Sequence, residues 1–191
     1  MTKTKEITEN TQPKKIVKKN LAGLNKNAKE IEVLIMNNLQ GNFYYECPKT
    51  HIIIEMQNYG DVEVVTLDVL NAMKNSYKNI LDNYWILIAD VYSDDYTIED
   101  IVQFLRLKEK YKFINSLLEK DKDSKSILDK IILNSSVKKF KEIINSLNNS
   151  LLIRLSERAV SLYKQKIFKD KFKMDTLAEA LNEEVLALFD K

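Results

Sequence analysis

The chain has 191 residues, 45% hydrophobic and 30% charged, with 30 Lys and Arg against 28 Asp and Glu and a formal net charge of +2. That length accommodates one sizeable core or two small ones, and the composition is that of a folded protein rather than a disordered one. The near-neutral balance argues against a dedicated nucleic-acid binder, the single cysteine excludes an intrachain disulfide and a Cys-based structural zinc site, and no run approaches the roughly 18 apolar residues of a membrane span.

Residues 1–30 carry eight lysines, among them Lys14, Lys15, Lys18 and Lys19, against three glutamates, and they include Pro13 and Gly23 with little apolar periodicity. This stretch reads as a basic flexible arm, either a solvated terminus or a segment that orders on a partner or on nucleic acid. It has no apolar stretch behind its lysines and does not read as a secretory leader.

From residue 31 the pattern is that of short strands. Alternation over 31–36 runs into Asn37-Asn38 and Gly41, and 43–46 is a second strand halted by Pro48. Residues 51–56, the turn Asn58-Tyr59-Gly60-Asp61 and residues 62–65 complete four strands of a small antiparallel sheet or roll, which needs a cover on one face. Thr66 is placed to cap that cover, a helix with Leu67, Leu70 and Met73 on one face and Tyr77, Ile80 and Leu81 continuing it. Residues 84–91 add a fifth strand, and Ser93-Asp94-Asp95 breaks the pattern.

The remainder reads as helices. Thr97 with Asp100 forms a capping box before the stripe Ile98, Ile101, Val102 and Leu105. Further helices are expected over about 110–119, around Ile127 to Ile132, after Ser135-Ser136, and over 151–168 behind Asn148-Asn149-Ser150. A last one begins at Asp175 or Thr176, with Glu179 completing a box to Thr176. No heptad persists, so a compact orthogonal bundle is expected rather than a coiled coil. The fold class is α+β: a basic arm at 1–30, a small antiparallel β module with one covering helix at 31–92, and an all-α multi-helix module at 93–191.

All three glycines and both prolines lie at or before Gly60. Phosphate-cradling loops, nucleophile elbows and dinucleotide fingerprints depend on glycine, so none is available beyond it, and sharp backbone features are expected only in the first third. Cys47 and His51 stand four residues apart, but Pro48 intervenes and no glycine-supported oxyanion loop follows, so they read as a structural thiol and a surface histidine. The pairs Asp94-Asp95, Glu99-Asp100 and Glu183-Glu184 read as caps and solvated faces. No catalytic, cofactor or metal site is expected. The candidates for contact with a partner or with nucleic acid are Lys14, Lys15, Lys18 and Lys19 on the arm, Phe43, Tyr44 and Tyr45, and Trp85. Alternation sets Phe43 and Tyr45 on one face of their strand and Tyr44 on the other, so part of this cluster belongs to the core.

Several segments, Gly41-Asn42-Phe43-Tyr44-Tyr45, Ile52-Ile53-Ile54-Glu55, Tyr59-Gly60-Asp61 and Val65-Thr66-Leu67-Asp68-Val69-Leu70, fall in a characteristic order. Asn83-Tyr84-Trp85-Ile86-Leu87-Ile88 and Tyr96-Thr97-Ile98-Glu99-Asp100-Ile101 follow them. In this ordering the chain resembles, over about residues 33–185, a family of small uncharacterised proteins encoded beside virion genes in tailed bacteriophages, although it has less glycine and proline between its late helices. The resemblance implies a structural, non-enzymatic virion component, made in the host cytoplasm. It further implies association with the capsid or the head-to-tail neck in a homo- or hetero-oligomeric assembly, with no enzymatic residues to carry over. Two other classes stay open: a scaffolding or regulatory adaptor, and a nucleic-acid binder using the arm and Phe43, Tyr44 and Tyr45.

Overall fold

The central strand, β1 (Glu32–Asn37), pairs antiparallel with β4 (Val62–Thr66) on one side and β5 (Ile86–Tyr92) on the other. A computed structural model describes residues 21–118 and 127–189; Lys14, Lys15, Lys18 and Lys19 lie outside the described residues, as does the polar break at 121–124. The five expected strands form, all pairings are antiparallel, and the class is α+β. Two of them, β2 (Phe43–Glu46) and β3 (Ile53–Met56), make a separate hairpin in which Phe43 faces Met56 and Tyr45 faces Ile54. These four side chains are buried, so a hairpin that would be marginal alone is held by its inner face.

Buried Asn37 and Asn38 set how the strands are joined. The Asn37 amide donates to the carbonyls of Gly41 and Asn58, its oxygen accepts from the Leu39 N–H, and the Asn38 amide donates to the Tyr84 carbonyl. Each side chain stands in for backbone partners that a chain reversal leaves unpaired.

Of the expected arm, residues 21–30 belong to the fold. They form α1 (Leu21–Lys26) and the turn after it, and Leu24 and Ala28 join the core. A Cβ on Gly23 would come within 2.7 Å of the Tyr96 hydroxyl, so a side chain here would displace that phenol. The covering helix is shorter than its apolar pattern suggests, and α2 (Leu67–Ser76) and α3 (Asn79–Asp82) are separated at Tyr77, which leaves the core and is exposed. Thr66 occupies the N-cap position without a side-chain cap bond, its hydroxyl donating instead to the Asp68 carboxylate.

Beyond β5, Thr97 and Asp100 form both bonds of the capping box at α4 (Ile98–Phe104). The helices α5 (Lys108–Leu118), α6 (Ile127–Asn134), α7 (Val137–Ser146) and α8 (Asn149–Lys164) follow, with Ser136 capping α7 and Asn148 capping α8. The end of the chain departs from expectation, because α9 (Lys171–Leu181) starts at an Asp170 cap and a separate α10 (Val185–Phe189) comes after it. Thr176 therefore lies inside a helix, and its hydroxyl bonds back to the Phe172 carbonyl rather than opening a box with Glu179.

The absence of late glycines does not straighten the backbone. Four helices, α3, α4, α8 and α9, are closed by left-handed residues that are not glycine: Tyr84 (φ 55°), Arg106 (φ 58°), Lys166 (φ 64°) and Asn182 (φ 55°). In each case the next N–H reaches back five residues to a helix carbonyl: Trp85 to Ile80, Leu107 to Val102, Ile167 to Leu162 and Glu183 to Ala178. This is the Schellman closure that glycine ordinarily serves. A left-handed residue with a Cβ costs roughly 1–2 kcal/mol, partly offset because glycine loses more freedom on folding. Lys166→Gly, at an exposed site, should therefore stabilise the protein by about 0.5–1 kcal/mol and raise Tm by a few degrees. A lowered Tm in calorimetry would refute this account of α8's end.

One hydrophobic core runs from Leu24 through the sheet to Phe189, joining residues on both sides of the break near Ser93. Side-chain bonds cross it as well. The Tyr111 hydroxyl accepts from the Ile88 N–H at 3.0 Å, and Asn148 donates to the Tyr84 hydroxyl at 2.6 Å. Arg158, bound to Asp129, also reaches the Gln40 oxygen at 3.3 Å. Between α6, α7 and α9, the buried Lys173 ammonium donates to the Ile132 carbonyl at 2.7 Å, one of the last carbonyls of α6 and without a partner in its own helix.

Candidate functional site

The period of β2 divides the aromatic triplet. Phe43 and Tyr45 turn inward, with Tyr45 4% exposed, while Tyr44 turns outward and is 56% exposed. The next contributor comes from the end of α2. Asn75 and Ser76 favour leaving a helix, the chain breaks there, and Tyr77 is left 55% exposed with its ring edge-on to Tyr45 at 6.1 Å. Trp85 is the third, fixed by its backbone: its N–H bonds to Ile80 and its carbonyl accepts from the Asn38 N–H. It precedes β5 directly and is 37% exposed.

These side chains line one open cleft of about 590 Å³, with Tyr45 toward the core side and Glu46 and Lys78 supplying one charge of each sign. The structure thus brings together Tyr44, Tyr45 and Trp85 from the residues that the sequence singles out, and it places Phe43 in the core. Sequence reasoning missed Tyr77 as a surface residue because its helical spacing from Met73 suggested a core position. The signal against that reading was Asn75-Ser76 just before it.

The chemistry around the cleft is that of contact. Burial pushes the Tyr45 phenol well above its usual range, with the Cys47 thiol beside it adding to the effect, so the phenol stays protonated. Burial of Cys47 raises its thiol, and hydrogen bonds from Thr50 and from the backbone N–H groups of Lys49 and Thr50 outweigh this, leaving it below the ordinary cysteine value. Cys47 is fully buried, however, and the exposed His51 ring turns to Glu46, with Nδ1 3.3 Å from the carboxylate. The two do not form a dyad. Among the described residues no group of three or more His, Cys, Asp or Glu could hold a metal, and no helix is long and apolar enough to cross a membrane.

Comparison of the chain with protein-family models, with curated proteins and with solved structures finds no match.

Proposed function

We propose that this chain is a structural, non-enzymatic component of a tailed-bacteriophage virion, associated with the capsid or the head-to-tail neck, and that it makes protein contacts through the aromatic cleft. The observation that carries the contact reading is the exposure of Tyr44, Tyr77 and Trp85 around one cleft on a pinned backbone. Trp and Tyr are the residues most often found to dominate interface energies, and a preformed platform loses little freedom on binding. Assignment to a virion rests on the resemblance in sequence.

Protein is favoured over nucleic acid at this cleft. A strand-binding groove combines stacking faces with a positive track, whereas here one lysine is matched by one glutamate and two rings of the triplet are buried. The test is incorporation of the tagged chain into gradient-purified particles. The unsubstituted chain should co-purify, and Tyr44→Ala or Trp85→Ala, both at exposed positions, should each lower affinity for the particle partner by about 2 kcal/mol, roughly 30-fold, with the fold intact. Absence of the chain from finished particles would support a scaffolding or adaptor role instead. Retention on single-stranded oligonucleotides that collapses with added salt would support the nucleic-acid reading.

A further inference from the structure

One face of the three-stranded sheet is only partly covered. Register sets Leu34 beside Val64 and Asp90, and Glu32 beside Thr66 and Tyr92, so these side chains share a face. Where β1 ends that face is closed, with Met36 and Leu87 buried. Toward Glu32 and along the β4 edge it is open: Val64 is 45% exposed, Tyr92 51% and Val62 40%, and Leu34 is half-buried among them. A contiguous apolar patch of this kind marks a contact surface.

Its charge says what the contact is. Glu32 and Asp90 stand exposed on the patch, and β1, β4 and β5 each carry one carboxylate and no Lys or Arg. The bias runs well beyond the strands. Residues 30–105 hold thirteen Asp and Glu against three Lys and no Arg, a formal charge of −10 inside a chain whose total is +2. At the start of the same chain, Lys14-Lys15-Ile16-Val17-Lys18-Lys19 gathers four lysines around an apolar pair. Lysine stems can lie along apolar surface while their ammonium groups reach carboxylates at its rim, so this segment matches the patch in both respects.

Reach agrees with charge. Twenty residues precede Leu21, and α1 enters the fold beside Tyr96, whose hydroxyl lies against Gly23, only four residues beyond Tyr92 on β5. Crossing from β5 to β4 is two strand spacings, about 10 Å, and six residues of chain can extend about 20 Å. Tethering also gives the segment an effective concentration in the millimolar range, enough to populate a contact that would be weak between separate molecules.

We propose that residues 14–19 dock in cis on this face, with Ile16, Val17 and the lysine stems against Leu34, Val64 and Tyr92, and the ammonium groups beside Glu32 and Asp90. The arm and the sheet then neutralise each other, and the open strand face is covered by the chain's own N-terminal segment.

The test is paramagnetic relaxation in the full-length, 15N-labelled chain carrying a nitroxide at Gln12→Cys; Cys47 is fully buried and does not compete for the label. The Leu34, Val64 and Tyr92 amides should lose intensity, while those of Gln40 and Leu188, which line one concavity past the opposite end of β1, keep theirs. The loss should vanish at about 1 M salt, where the screening length is about 3 Å. It should vanish too in Ile16→Asp, Val17→Asp and in Glu32→Lys, Asp90→Lys. The first of these variants alters no residue of the sheet, so its effect cannot arise from unfolding. In a mixture of nitroxide-labelled 14N chain and unlabelled 15N chain, no loss is expected. Absent or uniform broadening, or broadening that persists in both variants, would overturn the inference. So would equal broadening in the mixture, which would give the face to the arm of a second copy.

Discussion

Arg158→Met should destabilise the protein by about 2–4 kcal/mol, seen as a lower urea midpoint and a Tm reduced by roughly 2–4 °C for each kcal/mol. Arg158 Nε and Nη2 donate to the two oxygens of Asp129 at 2.6 and 2.7 Å, a bidentate pair. The guanidinium also lies 4.1 Å from the centroid of the Tyr59 ring and reaches Gln40. Hydrogen bonding to Asp129 is the main reason that the Arg158 pKa is raised, against the opposing effect of burial. Burial pushes the Tyr59 phenol up, and the Asp129 charge adds to this while Arg158 works against it.

The pair is largely withdrawn from water, its side chains 13% and 20% exposed, so methionine in place of arginine leaves a carboxylate with little solvent and no counter-charge. The full penalty of about 3–5 kcal/mol for breaking a buried pair is reduced here by that residual exposure. Removing both charges should cost less than removing one. The double variant Arg158→Met, Asp129→Leu is expected to recover most of the lost stability, because the uncompensated charge goes with its partner. If Arg158→Met shifts stability by under about 0.5 kcal/mol, the network behaves as an exposed surface pair and does not clamp the loops of Gln40 and Tyr59 to α6 and α8.

These contacts show which parts of the molecule the sequence can disclose. Period-2 alternation sorts Phe43 and Tyr45 from Tyr44 and Glu46 because only one face of the hairpin is buried, and the Thr97 and Asp100 box can be read because its bonds are local. The same local reasoning misplaces the start of α9, since Thr176 and Glu179 have box spacing but Asp170 offers an earlier cap with the helix already under way. Of the four left-handed closures only Asn182 is legible, as a residue type that commonly takes this conformation; Tyr84, Arg106 and Lys166 stand where glycine would be expected, and composition gives no sign of them. Gln40 and Arg158 are 118 positions apart, beyond the reach of any periodic argument.

The second large effect is expected at Tyr111, where α5 meets the sheet. Tyr111 is fully buried, and its hydroxyl accepts from the Ile88 N–H at 3.0 Å. The strand order β4-β1-β5 makes β5 an edge strand. Its pairing with β1 is also irregular at this point: Ile35 faces Ile88 while Leu34 faces Asp90, leaving Ala89 unpaired as a bulge. The N–H of Ile88 is thus partnered by a side chain from α5, and the phenol covers an edge that would otherwise present an unpaired donor. Burial pushes the Tyr111 phenol well above its usual range, so it keeps its proton under all ordinary conditions. Tyr111→Phe retains the ring and removes only the acceptor. It should cost about 1–3 kcal/mol, the penalty for a buried N–H left unpaired, and should speed hydrogen exchange at Ile88 more than at neighbouring strand amides. Tyr111→Ala also removes the ring from a closed core and from contact with Tyr84, 6.4 Å away, and should cost about 4–5 kcal/mol. Domains of this kind typically have about 5–15 kcal/mol of stability in total, so the alanine variant should be partly unfolded at 37 °C while the phenylalanine variant remains folded. Equal losses from both substitutions would mean that the ring contributes nothing beyond its hydroxyl, and the docking of α5 on the sheet edge would need another explanation.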